Sequence, residues 1–189
     1  MATQDSRIKI KRSTVTATVP TVPSSNDHTD GTWIATDIYK GELFFNQADG
    51  VLWSRDDSGV VCLGGSASLT IASADVLTLN STPITIVGAV AGYAIEVVSA
   101  SRKLDFNTTP YATNTDLILI TSGATSFQVK GKINSSVSTT LSMGQSTPGL
   151  ATSTQLIANA DLLVQVPTGD PTAGDSDITV FVNYRLIPV

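Results

Sequence analysis

The segment from Gly41 to Leu63, GELFFNQADGVLWSRDDSGVVCL, constrains the fold of this chain more than any other stretch. Its apolar runs at the start, middle and end are separated by two polar segments, Gln47–Gly50 and Asp56–Gly59. Glycine adopts a positive φ angle without steric cost and aspartate tolerates one, so both polar segments have the composition of tight turns. The segment is therefore predicted to form a β-hairpin followed by a third strand, and it contains no pattern typical of catalysis.

The composition extends this prediction to the whole chain. Of the 189 residues, 26 are Thr and 21 are Ser, and 14 of the 16 acidic residues are Asp rather than Glu. Thr and Asp disfavour the interior of helices, whereas Glu and Lys favour it. We therefore expect an all-β protein with many turns.

The second half reads as a series of strands separated by turn residues. The predicted strands are Val76–Asn80, Ile84–Val87, Ala94–Phe106, Asp116–Thr121, Ser126–Ile133, Val137–Met143, Asp161–Val166 and Ile178–Ile187. In the last of them every second residue from Ile178 is apolar, whereas Phe181 is out of phase and is expected at the surface. Eight strands at this spacing predict a jelly-roll-like antiparallel β-sandwich, with a closed barrel as the alternative.

Two domains are expected. Residues 1–65 form a short arm and the hairpin module, residues 66–74 form a linker that begins in the GGSAS segment, and residues 75–189 form the sandwich. Within the arm, Arg7 to Lys11 alternates basic and apolar residues, which indicates a strand that pairs outside its own segment.

Charge narrows the range of partners. Four of the 11 basic residues lie within the first twelve positions, which leaves the remainder of the chain mildly acidic. Such a body does not attract nucleic acid, although the basic arm could contact an acidic partner. No apolar run approaches the ~20 residues of a membrane span, and the N-terminus lacks the apolar core of a secretory signal. We therefore expect neither a nucleic-acid nor a membrane partner.

Residues capable of catalysis or metal binding are few. The chain contains one histidine, His28, and one cysteine, Cys62, which excludes most catalytic triads and zinc sites. We therefore expect no enzyme activity and no cofactor. Asp27 and Asp30 beside His28 are interpreted as loop residues rather than metal ligands.

Three alternatives involving bound ligands or catalysis stay open. Asp170, Asp175 and Asp177 lie in one polar loop, where they could bind Ca²⁺ or simply form turns. Tyr93 and Tyr111 are the candidates for a glycan platform on exposed loops. A depolymerase-type hydrolase would require two carboxylates within ~10 Å of each other in a groove.

The first 65 residues resemble a module that begins many bacteriophage fibre and minor structural proteins. That module has a basic opening, I-x-I-K-R-S, followed by G-E-L-x-x-N-x-x-D-G-x-L-[YW] and a D-x-x-G turn. The opening is matched by Ile8 to Ser13, and the core is matched by Gly41, Glu42, Leu43, Asn46, Asp49, Gly50, Leu52 and Trp53. The chain departs from the module in a longer insertion, 26–37, and in Phe44 and Phe45, where smaller residues are common. The remainder looks like β-sandwich domains of phage head- or tail-attached proteins.

The resemblance implies a virion protein assembled in the host cytoplasm. It implies an N-terminus that docks on capsid or tail proteins through Ile8, Lys9, Ile10, Lys11 and Arg12, and a C-terminal sandwich that projects as a homotrimer. Two alternative functions are a capsid decoration protein and a tip module that binds a receptor or a host-surface glycan.

Overall fold

The computed structural model describes residues 10–25, 31–145 and 156–189. The chain divides into two compact units, Met1–Gly64 and Gly65–Val189, called here the first and second units. Their described residues form eleven strands and one short helix. No helix in the described part of the chain is long and apolar enough to cross a membrane.

The strands of the first unit follow the predicted hairpin. The unit contains β1 (Lys11–Ser13), β2 (Leu43–Asn46), β3 (Val51–Arg55) and the beginning of β4 (Val60–Ile71), in the order β1-β2-β3-β4. The β2–β3 pair is antiparallel, with Phe44 opposite Trp53, and both side chains are buried. The three strands and two turns predicted for Gly41–Leu63 are therefore confirmed.

Both turns are held by short polar side chains, as their composition predicts. Asn46 is buried at the end of β2 and donates to Asp49 Oδ2 (2.5 Å), while its own Oδ1 accepts from the Ala48 N–H (3.0 Å). In the second turn, Asp56 Oδ1 accepts from the backbone N–H groups of Ser58 (2.7 Å) and Gly59 (3.0 Å). These bonds close each turn locally and set the register of the strands that follow.

The second unit contains eight strands, the first of which is the remainder of β4. The others and the helix are α1 (Ser73–Val76), β5 (Ile84–Val87), β6 (Tyr93–Asp105), β7 (Asp116–Thr121), β8 (Val129–Lys132), β9 (Thr139–Gln145), β10 (Leu162–Gln165) and β11 (Asp177–Pro188).

These eight strands pair in a nested pattern. The first strand, β4, pairs with the last, β11; β5 pairs with β10, β6 with β9, and β7 with β8. Further pairs, β6 with β11 and β7 with β10, give two four-stranded sheets, β4-β11-β6-β9 and β8-β7-β10-β5, joined by a short β8–β9 pair. This nesting is the strand arrangement of a jelly roll. The predicted all-β, jelly-roll-like class is confirmed.

The core of the second unit is built from alternate residues of its strands. On β11 every second side chain from Ile178 to Leu186 is buried, and β6 and β10 contribute residues such as Ile95, Leu104 and Val164. Alternation places one side of each strand in the core and the other in solvent. Seven of the eight predicted strands of this half are present within a few residues of their predicted ends.

Two sequence predictions are wrong in the region where the second unit begins. The linker predicted at 66–74 is mostly strand, because β4 extends to Ile71 and pairs with β11. The strand predicted at Val76–Asn80 is instead the end of α1 and a turn. Val76 and Leu79 are both fully buried, and a spacing of three residues brings side chains to one face of a helical turn but to opposite faces of a strand.

Candidate functional site

Three of the five residues predicted to attach the protein, Ile10, Lys11 and Arg12, lie in or beside β1, at the end of the strand order of the first unit. Ile8 and Lys9 fall outside the described residues. Ile10 and Arg12 are exposed, while Lys11 is half-buried and opens β1. β1 pairs in parallel with β2, with Lys11 opposite Phe44. The strand predicted at Arg7 to Lys11 shares only Lys11 with β1, and Arg7 lies outside the described residues.

Lys11 is held at four points. Its Nζ donates to the backbone oxygen of Asp37 (2.8 Å) and to Glu42 Oε2 (3.0 Å). The same ammonium lies 5.9 Å from the ring centroid of Trp33 and 5.5 Å from that of Tyr39. Each such cation–π contact contributes about 0.5–1 kcal/mol at an exposed site. The lysine side chain is therefore fixed in one position, although its ion pair with Glu42 is partly exposed and contributes little to stability by itself.

These four side chains, Lys11, Trp33, Tyr39 and Glu42, line a cavity of about 360 Å³, called here the aromatic pocket. Trp33 is 49% exposed and is followed by the exposed Ile34. Tryptophan and tyrosine are enriched among the residues that dominate binding energy at protein interfaces. Because the Lys11 ammonium is already paired with Glu42, the two aromatic rings make this pocket suitable for an apolar side chain.

The loop that carries the two rings is braced by two carboxylates. The Asp37 side chain is buried and accepts from Thr21 Oγ1 (2.6 Å) and from the Ile34 N–H (2.8 Å). The Thr21 hydrogen bond is the main cause of the lowered pKa of Asp37, followed by the Ile34 bond. Glu42 Oε2 also accepts from the Tyr39 N–H (2.8 Å). The loop that carries Trp33 and Tyr39 is therefore held in place by hydrogen bonds within the first unit.

Sequence reasoning identified Lys11 but not the pocket around it. Trp33 appears in the sequence only as one of several aromatic residues of the first unit, and Glu42 only as a residue of the resembling module. Tyr39 carries no sequence signal of its own. The pairing of β1 with β2 across a long connection brings the four residues together, and no local spacing predicts that.

The loop with three aspartates does not gather them into a cation site. Asp170 Oδ1 accepts from the backbone N–H groups of Asn80 (2.8 Å) and Ser81 (3.1 Å), and Asp177 Oδ1 accepts from the Ser73 N–H (3.0 Å). Asp175 accepts from the N–H groups and the hydroxyl of the segment that begins at Thr108. In the part of the chain that the structure describes, no three His, Cys, Asp or Glu side chains form a group able to hold a metal ion. Asp27, His28 and Asp30 lie outside that part.

The glycan platform predicted at Tyr93 and Tyr111 is wrong for Tyr111. Its side chain is only 3% exposed, and its hydroxyl donates to the backbone oxygen of Ser176. Burial, reinforced by the nearby Asp177 carboxylate, raises the pKa of Tyr111 to about 12. Tyr93 is half-buried at the start of β6. Phe181, by contrast, is exposed as predicted.

Comparison of the chain with protein-family models, with curated proteins and with solved structures gave no match.

Proposed function

We propose that this chain is a structural protein of a bacteriophage particle, of the fibre or spike type. In this proposal the first unit docks on a head or tail protein and the jelly roll of the second unit projects as a homotrimer. The observation that carries the proposal is the aromatic pocket, because it surrounds Lys11, one of the residues that the resemblance assigns to attachment.

The exposed apolar residues of the first unit suit a protein partner. The exposed apolar residues of the first unit include Ile10, Val15, Val22, Trp33 and Ile34. The core of a protein interface is depleted in charge and enriched in aromatic residues. β1 also lies at the end of its strand order, so a strand from a partner could extend the sheet there. Docking by burial of apolar area and by strand addition requires no chemical step.

A particle-association experiment tests the docking role. We expect the wild-type chain to sediment with purified particles of the phage that encodes it, and mass spectrometry of those particles to detect it. Trp33→Ala and Lys11→Glu should reduce the bound fraction at least tenfold. Leu63→Ser is the control, because Leu63 is equally exposed in the first unit but does not line the aromatic pocket. Absence of the chain from purified particles would contradict the proposal.

The oligomeric state separates a projecting fibre from a decoration protein bound singly to the shell. Light scattering of the full chain should give three times the chain mass of 19.7 kDa. A mass of one chain, together with confirmed particle association, would instead favour the decoration protein.

A further inference from the structure

The outer face of the sheet β4-β11-β6-β9 has an unusual composition. Buried and outward residues alternate on β11, so Thr179, Phe181 and Asn183 project away from the core. Residues opposite one another in register share a face of the sheet. The neighbours that share this face are nearly all hydroxyl residues: Ser66, Ser68, Thr70, Ser99, Ser101, Lys103, Thr140 and Ser142. We call this set, with the three β11 residues, the hydroxyl face.

Phe181 is the single aromatic residue of the hydroxyl face and is 42% exposed. Its partners in register are Ser68 on β4 and Ser101 on β6, both too small to cover the ring. Aromatic residues in sheets usually pair across strands with aromatic or β-branched residues, which contributes roughly 0.2–1 kcal/mol. Phe181 lacks such a partner directly opposite it, so packing within its own sheet does not account for a phenyl ring at this position.

The two cations of the hydroxyl face and its border are already paired. Lys103 Nζ lies 2.8 Å from Asp105 Oδ1, and Arg185 forms an ion pair with Glu96. A further carboxylate, that of Asp177, lies at the start of β11 and accepts from the Ser73 N–H. The residues in register with Phe181 and Asn183 are all serines, so the immediate surroundings of the ring suit an uncharged ligand.

A shallow cavity of about 270 Å³ lies beside the ring and is lined by Ser66, Ala67, Ser68, Phe181, Val182 and Asn183. Asn183 Nδ2 donates to Ser99 Oγ (3.1 Å), which fixes the plane of the amide next to the ring. An amide and a hydroxyl each offer both donor and acceptor groups. At about 270 Å³ the cavity lies just below the roughly 300–1,000 Å³ range of ligand sites, whereas a stable protein interface covers about 800 Å² per partner. Its size suits one or two rings rather than a protein surface.

We propose that the hydroxyl face binds a neutral saccharide, with one sugar ring stacked on Phe181 and its hydroxyl groups hydrogen-bonded by Asn183, Ser66 and Ser68. The C–H groups on one face of a pyranose are apolar and match a phenyl ring, while its hydroxyls match a neutral field of donors and acceptors. The inference rests on the proposed function only for the origin of the saccharide, a host-cell surface; the binding itself belongs to the second unit.

Binding is tested on the full chain with a panel of neutral oligosaccharides built from glucose, galactose, mannose, N-acetylglucosamine and N-acetylgalactosamine. Uronic-acid and sialylated oligosaccharides form the charged arm of the panel. Saturation-transfer NMR and calorimetric titration should detect at least one neutral ligand. Phe181→Ser should weaken that binding at least tenfold, Phe181→Tyr should retain it, and Asn183→Ala should weaken it several-fold.

A control variant and a measurement of solution mass show whether a loss of binding is specific to Phe181. Val137→Ser removes an apolar side chain that is more exposed than Phe181 (61% against 42%) from the loop between β8 and β9, and it should leave binding and the melting temperature unchanged. Failure of every neutral oligosaccharide to bind at 10 mM overturns the inference, as does preferential binding of the charged arm. A change of solution mass on Phe181→Ser would also overturn it, because the face would then be a contact between copies. Particle association through Trp33 is measured separately, so loss of either function is distinguishable.

Discussion

Replacement of Gln128 by Met should destabilise the second unit more than any other single polar-to-apolar change in its core. Gln128 precedes β8 and is only 5% exposed. Its Oε1 accepts from the Val97 N–H (2.7 Å), and its Nε2 donates to the Ile95 oxygen and to Thr121 Oγ1 (both 2.9 Å). The side chain thus connects β6, in one sheet, to β7, in the other.

The cost of this replacement can be worked out from those three bonds. Methionine has nearly the same length and volume as glutamine, so little cavity is formed. Each lost hydrogen bond costs about 1 kcal/mol, and a buried donor or acceptor left without a partner costs about 1–3 kcal/mol. Ile95 and Val97 are both buried, and β6 shifts register against β11 beside them, between Asn183 and Tyr184. We therefore expect a loss of about 3–5 kcal/mol, out of the roughly 5–15 kcal/mol available to a domain.

Urea unfolding followed by far-ultraviolet circular dichroism measures this loss. Tryptophan fluorescence is unsuitable for the purpose, because Trp33 and Trp53 both lie in the first unit. Gln165→Met is the matched control, since Gln165 is a half-buried residue of β10 and the same replacement there should cost less than about 0.5 kcal/mol. A loss below about 1 kcal/mol for Gln128→Met would refute the reasoning, because the backbone groups of β6 would then have found other partners.

Three further predictions concern the second unit. Arg102 is 2% exposed, its Nε lacks a hydrogen-bond partner among the described residues, and burial lowers its pKa. Arg102→Met should therefore raise the unfolding free energy by about 1 kcal/mol in a urea titration. A decrease of that size would mean that another group compensates the charge. Gly174→Ala should lower the melting temperature by about 10 °C in a calorimetric scan. The added Cβ would lie 2.2 Å from the Tyr111 ring, and the φ angle of +98° disfavours any side chain. Gly88→Ala is the control, because Gly88 has open space around it, and it should have little effect. Asp175 has a pKa below its ordinary value of 3.8, chiefly through the hydrogen bond from a threonine hydroxyl. Its contribution to the unfolding free energy is therefore complete above that value and is lost as the pH falls through the lowered pKa. Asp175→Asn should flatten the acid limb of a stability–pH curve below about pH 4, and an unchanged limb would contradict this.

The sequence predicted most of this fold because two local signals are strong. The turns at Asp49 and Asp56 and the alternation in β11 each depend on neighbouring residues, and each is present in the structure. Strand pairing is different, since the nested order joins segments as distant as β4 and β11. Alternation shows which face of a strand is buried, but it does not identify the partner strand.

Two of the wrong predictions involve glycines whose missing side chain makes room for a distant tyrosine. The GGSAS segment has the composition of a linker, yet a Cβ on Gly65 would lie 2.6 Å from Tyr184 Cζ. Tyr111 was expected on an exposed loop, yet its ring packs where a Cβ on Gly174 would lie. A sequence read locally interprets such glycines as flexible, whereas the fold uses them as close-packing positions.

The aspartate loop illustrates why closeness in sequence misleads about chemistry. Asp170, Asp175 and Asp177 look like oxygen ligands converging on one cation, because a cation site needs several carboxylates directed at a common point. In the structure each carboxylate is directed at the backbone of a different segment: Asn80 and Ser81, the segment from Thr108, and Ser73. Backbone N–H groups in turns need acceptors as much as a cation needs oxygen ligands, and a short side chain on a long loop can supply them at a distance. The high ratio of Asp to Glu therefore reflects not only local turns but also the anchoring of distant loops, and that second use is invisible until the chain is folded.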